Sequence, residues 1–223
     1  MKKQAGFTLI ELAIVLVIIG LLLGGVLKGQ ELINSAKVKN FASDFRNIPV
    51  YIYGYQDKFR ALPGDDKSAS THTASTAVNG NGNGQLEGRW NTTTVADETH
   101  KFWQHVRLAG LAAGATDNTL TADFYPKNAD GGDIGIEAGR TATPAIAGIA
   151  GTYVICSTGI LGKYVKQLDI TMDNGDTATG AMMASPAVIA GTGGNSSSYA
   201  PGNLATATDK IVDGDSYVVC MAI

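Results

Sequence analysis

Glu11 is chemically out of place. Between Phe7 and Leu27 the only polar side chains are Thr8 and Glu11, so a carboxylate lies near the start of a run that is long and apolar enough to cross a hydrocarbon core as a helix. Even on lenient insertion scales such a charge costs about 2 to 3 kcal/mol, so it requires a partner. The small residues Ala5 and Gly6 stand before the apolar run and directly behind Lys2 and Lys3, the reverse of an ordinary secretory signal. A cut between Gly6 and Phe7 would leave the hydrophobic helix on the mature chain. Lys2 and Lys3 also set orientation, since positive flanks stay cytoplasmic and the C-terminal bulk crosses the membrane.

Three other sets of residues could do chemistry. Cys156 and Cys220, the only cysteines, each lie in a β-branched run, Tyr153-Val154-Ile155-Cys156 and Tyr217-Val218-Val219-Cys220. In an oxidising compartment they read as a disulfide, and two buried thiols on adjacent strands are the alternative. Closing so long a loop would stabilise the fold by about 4 kcal/mol in the chain-entropy model. The run from Asn79 to Glu87 places the side-chain oxygens of Asn79, Asn81, Asn83 and Glu87 at the first, third, fifth and ninth places of an EF-hand-like loop, with Gly84 sixth and Leu86 eighth. Asn stands for the usual Asp and Trp90 for the bidentate Glu, so Ca²⁺ would bind weakly unless Glu98 reaches in; a polar glycine-rich turn is the other reading. The turn Asp173-Asn174-Gly175-Asp176 and the later Asp209, Asp213 and Asp215 are carboxylate-rich and open to the same two readings. His100 and His105 do not share a helix face and read as solvated rather than metal-binding. No nucleophile stands next to a base and no Gly-x-Ser-x-Gly elbow occurs, so the expectation is not an enzyme.

The elements that position these groups follow from periodicity. Beyond the apolar run, Val38, Phe41, Phe45, Ile48, Ile52, Tyr55, Phe59 and Leu62 recur every three or four residues, with most charged side chains off that stripe. Helix from Phe7 to Leu62 would be on the order of 80 Å long. Gly24, Gly25, Gly29 and Pro49 are its weak points, and a kink is expected near Pro49. Pro63-Gly64 ends it, and Asp65 to Thr93 reads as a long surface loop. Thr94 to Asp97 offers a helix start, followed by a stripe of Phe102, Val106, Ala109 and Ala113 closed by Gly114. Residues 114–152 show no sustained period. Thr152 to Cys156 and Ser216 to Cys220 read as strands, with a short helix across Leu161, Val165, Leu168 and Met172 between them.

Lys-Lys-Gln-Ala-Gly followed by Phe-Thr-Leu-Ile-Glu resembles the leader and mature start of the type IV pilin and type II secretion pseudopilin superfamily. The resemblance spans about sixty residues. It implies that a prepilin peptidase cuts between Gly6 and Phe7, that the new Phe7 amine is N-methylated, and that Glu11 directs subunit packing. In an apolar filament core the Phe7 amine of a neighbouring subunit would neutralise Glu11; a carboxylate at headgroup level beside Lys2 and Lys3 is the alternative. Ala61-Leu62-Pro63-Gly64-Asp65, the Asn-Gly run at Asn79, Phe102-Trp103-Gln104-His105 with Ala109-Gly110-Leu111, and Leu168-Asp169 to Gly180 also resemble a group of bacterial prepilin-like proteins.

The expected fold is α+β and pilin-like. Residues 1–6 are the leader, 7–28 the transmembrane and filament-core helix, 29–62 its amphipathic continuation, and 63–223 a globular head with a small antiparallel sheet and a C-terminal region stapled by Cys156 and Cys220. The formal charge of −3 over 223 residues argues against nucleic acid as a main partner. The expected partners are like subunits in a homopolymer joined through their N-terminal helices, the prepilin peptidase, and pilus or type II secretion machinery. The precursor waits in the inner membrane; the product is an extracellular filament, or a periplasmic one if a pseudopilin. An anchored adhesive or ligand-binding module is the rival from another class. No cofactor is expected other than the Ca²⁺ considered above.

Overall fold

A computed structural model describes residues 8–119, 123–139, 144–186 and 207–223. The chain divides into two compact units, Met1–Lys37 and Val38–Ile223. Helix α1, Leu9–Phe59, contributes to both and continues through Pro49.

The first unit carries the apolar part of α1. Its side chains from Leu9 to Leu27 are largely exposed, and it includes an 18-residue window of mean hydropathy 2.8, none of it buried. A face so apolar and so uncovered is suited to lipid or to other apolar helices rather than to water.

The second unit is α+β. Its stretch of α1 buries Val38, Phe41, Ala42, Phe45, Ile48, Ile52 and Tyr55, the stripe that three- and four-residue spacing dictates. The helix stops at Phe59, three residues short of the expected Leu62, because Arg60 adopts a left-handed conformation with φ 56°. After it come α2, Ala69–His72; α3, Glu98–Leu108; β1, Ile134–Ala138; β2, Tyr153–Leu161; α4, Gly162–Met172; β3, Met182–Pro186; and β4, Ser216–Ala222. The strands form one antiparallel sheet in the order β1-β2-β4-β3.

Both faces of this sheet are covered. Ile155, Tyr217 and Val219 join Phe41, Phe45 and Ile48 of α1, Phe102 and Val106 of α3, and Tyr164 and Leu168 of α4 in one core. Val154, Cys156, Val218 and Cys220, the alternate residues of the same strands, pack with Trp90, Ile146 and Ile149 in a second. This double burial explains why β1 and β3 have no alternating signature. Four of the five residues of β3 and all five of β1 are buried, so neither strand shows the polar-out residues by which half-buried strands are recognised.

The stretch Asp65 to Thr93 is not the surface loop expected. Asp65, Asp66, Ala69, Leu86 and Trp90 are all buried, and α2 lies within it. Helix α3 ends at Leu108 rather than near Gly114, since Gly110 takes φ 76° directly after it.

Candidate functional site

At the start of α1, Thr8 and Glu11 hold each other. The Thr8 N–H and hydroxyl both donate to Glu11 Oε2 at 2.8 Å, and the Glu11 N–H donates to Thr8 Oγ1 at 3.3 Å. This is a capping box, in which residues three apart satisfy each other's unpaired helix-end donors. The Thr-x-x-Glu spacing that makes it is contiguous in the sequence. Its effect is to present the Glu11 carboxylate, exposed at the end of an apolar helix, in a fixed position. Gly6 and Phe7 lie outside the described residues.

Cys156 and Cys220 are opposite each other across β2 and β4, with Cα atoms 4.1 Å apart, and are bonded through their sulfurs. Both are fully buried in the second core. The bond joins central strands whose cysteines are 64 residues apart in sequence.

The four candidate Ca²⁺ ligands are brought together only in part. Asn81 Nδ2 donates to Glu87 Oε2 and Asn83 Nδ2 to Glu87 Oε1, both at 2.8 Å. Asn81 Oδ1 accepts the Asn83 N–H and Asn83 Oδ1 the Gln85 N–H. Asn79 is engaged elsewhere, its Oδ1 accepting from the Ser70 N–H. The run is organised by two carboxylates from outside it. Asp65 accepts the N–H groups of Gly82, Asn83 and Gly84, and Glu98 accepts those of Asn81 and Glu87. Burial raises the Glu98 pKa, with Asp65 and Glu87 adding to the effect against two backbone hydrogen bonds. Among the described residues no three of His, Cys, Asp and Glu are gathered as a metal cage.

His100 and His105 are not solvated, as expected from sequence, but fully buried. His105 Nδ1 accepts the Gly64 N–H at 2.8 Å, so its Nε2 donates to the Val78 carbonyl, also at 2.8 Å. Burial lowers its pKa and keeps the ring neutral. His100 stacks on Phe124 with ring centroids 3.8 Å apart. Gln104 accepts the Val78 N–H and donates to the carbonyls of Thr76 and Thr116. The Pro63-Gly64-Asp65, Asn-Gly and Trp103-Gln104-His105 motifs are thus parts of one polar knot. Gly64 has φ 92°, and a side chain there would collide with the Glu98 carbonyl, so only glycine fits this crossing.

Residues 1–27 match the family model described as the prokaryotic N-terminal methylation motif, the prepilin-type motif of type IV pilins and pseudopilins. The motif indicates a family of structural subunits and implies processing by a prepilin peptidase. With the apolar helix behind it, the motif fits a precursor anchored in the inner membrane. Comparison with curated proteins and with solved structures finds no match.

Proposed function

We propose that this protein is the structural subunit of a type IV pilus-like extracellular filament. After cleavage between Gly6 and Phe7 and methylation of the new amine, subunits assemble through their apolar helices, with Glu11 neutralising the Phe7 amine of a neighbour. The observation that supports this is a carboxylate, held in place by Thr8, at the head of the apolar first part of α1 and within the processing motif. A plain membrane anchor has no use for a charge at that point. The motif also occurs in pseudopilins, and on that reading the same packing would build a periplasmic filament of a type II secretion system.

The test compares Glu11→Gln and Glu11→Val in cells lacking other pilins. Glutamine can still accept the Thr8 N–H and preserve the helix cap, but carries no charge; valine removes both. Removing one member of a buried charge pair costs about 3 to 5 kcal/mol at each interface. Both variants should be cleaved before Phe7, verified by intact mass, and remain in the inner membrane without filaments visible by electron microscopy. Normal filament yield from either variant would defeat charge pairing through Glu11, and absence of filaments from the parent chain as well would leave the helix a simple anchor.

A further inference from the structure

Asn79-Gly80, Asn81-Gly82 and Asn83-Gly84 follow one another directly, and all three asparagines are exposed. Such a pair is chemically fragile, because glycine puts no side chain in the way of a reaction between the asparagine and the chain itself. The glycine backbone nitrogen attacks the Asn Cγ, the new N–Cγ bond closes a succinimide ring, and the Cγ–Nδ2 bond breaks. The proton of the glycine nitrogen leaves with the amide group as ammonia. Water then opens the ring at either carbonyl and gives aspartate or isoaspartate.

The fold requires both members of these pairs. Asn81 and Asn83 each close a turn by accepting the N–H two residues on, at 2.9 Å. Gly82 and Gly84 have φ 77° and 86°, and a side chain on Gly80 would collide with the Asp65 backbone. Aspartate could close the same turns, but Glu87 forbids it. The Glu87 carboxylate accepts from both Asn Nδ2 groups at 2.8 Å, so deamidation at either place would exchange a donor for a like charge.

The reacting nitrogens are held by Asp65, which is 4% exposed. The Gly84 N–H donates to Asp65 Oδ2 at 2.7 Å. The Gly82 N–H donates to Asp65 Oδ1 at 2.6 Å and to the Asp65 carbonyl at 2.9 Å. Ring closure needs this nitrogen stripped of its proton and turned toward Cγ. An anionic nitrogen forming beside a buried carboxylate would bring two negative charges into contact where water screens them poorly. Gly80 differs, since its N–H donates to the uncharged Asp66 carbonyl at 2.9 Å.

We propose that Asn83, and to a lesser degree Asn81, are latent deamidation sites that Asp65 keeps closed by holding the N–H of the glycine that follows each. The Gly84 N–H is held by the Asp65 side chain, whereas that of Gly82 keeps the main-chain carbonyl if the side chain is lost, and this ranks the two sites. Asp65 thereby sets the chemical lifetime of the exposed run as well as its shape.

The test incubates the full chain in detergent at mildly alkaline pH and follows deamidation by mass spectrometry with isoaspartate detection. Trypsin releases residues 68–89, between Lys67 and Arg89, as one peptide carrying all three pairs. In the folded parent Asn83 should deamidate at least about tenfold more slowly than in the urea-unfolded chain, the factor that a hydrogen bond to a charged group supplies. Asp65→Asn should raise the Asn83 rate at least about tenfold, raise the Asn81 rate less, and leave Asn79 at its parental rate. Circular dichroism and the Asn79 rate establish that the variant is folded, because unfolding exposes all three pairs alike. Glu87→Gln, which alters the contacts of the Asn amides and not those of the glycine N–H groups, should leave Asn83 close to its parental rate. Should Asp65→Asn fail to fold, Glu87→Gln and the comparison of folded with unfolded parent decide. A folded Asp65→Asn with the parental Asn83 rate, equal rates in the folded and unfolded parent, or acceleration by Glu87→Gln to the unfolded rate would each overturn the assignment.

Discussion

Asp66 shows how a single side chain can join separate parts of the second unit. It is 3% exposed, and its carboxylate accepts the Tyr55 hydroxyl from α1 at 2.8 Å, the Ser68 N–H at 2.8 Å and a 2.7 Å contact with His72 Nδ1 of α2. Burial alone would raise its pKa; the hydrogen bonds from His72, Ser68 and Tyr55 and the charge of His72 outweigh this and lower it. A carboxylate lowered on folding contributes stability above its unfolded pKa and loses it as pH falls through the folded value. Tyr55→Phe removes one donor to this charge and should cost about 1 to 2 kcal/mol near neutral pH. The loss should shrink in acid as Asp66 protonates. Urea denaturation of the solubilised chain at two pH values measures both effects, and a Tyr55→Phe cost that does not vary with pH would separate Tyr55 from the ionisation of Asp66.

At the scale of the element, α1 is asymmetric within the second unit. Its apolar stripe meets the sheet and α3, while Asp44 lies beside it at two adjoining clefts, one lined by Ile48, Tyr51, Trp103 and Pro126 and the other by Asn40, Ser43, Lys127 and Asn128. Burial there raises the Asp44 pKa to about 6. The folded state therefore binds more protons than the unfolded state between about pH 4 and 6, and stability contributed through Asp44 falls as pH rises across that window. Asp44→Asn should have a flatter pH–stability curve there and be more stable than the parent chain above it. Melting temperatures of the two proteins from pH 4 to 7 provide the comparison; parallel curves would show that Asp44 has no such role.

For the molecule as a whole, the disulfide joins strands that are already paired, at a site covered on both sides. Its bond spans a long stretch of sequence, so the entropy removed from the unfolded chain is large even though the folded cysteines are immediate neighbours. Replacing both cysteines by alanine should lower stability by about 2 to 5 kcal/mol while preserving the sheet, because the backbone ladder and the surrounding apolar residues remain. Circular dichroism checks the sheet and denaturant unfolding the loss. A double variant that unfolds with the same midpoint as the parent would remove the bond from the account of stability.

The helix, its apolar first part, the stripe from Val38 to Tyr55 and the two cysteine-bearing strands were legible from local pattern, because each depends on spacing along one segment. Glu11 stood out because its neighbours are apolar, and the processing motif is contiguous. Tertiary structure alone revealed what depends on segments far apart in the chain. Strands β1 and β3 exist because partners on both faces bury them, which erases the alternation that sequence reading requires. His105 is buried because Gly64 and Val78 supply its complementary donor and acceptor, and neither contact is encoded next to it. Asp65 and Glu98, outside the Asn-Gly run, organise that run, and Asp169 is buried only where α4 turns back toward β3. Periodicity reports how much of a segment is buried, whereas the identity of each buried polar group's partner is decided by the closure of the chain around it.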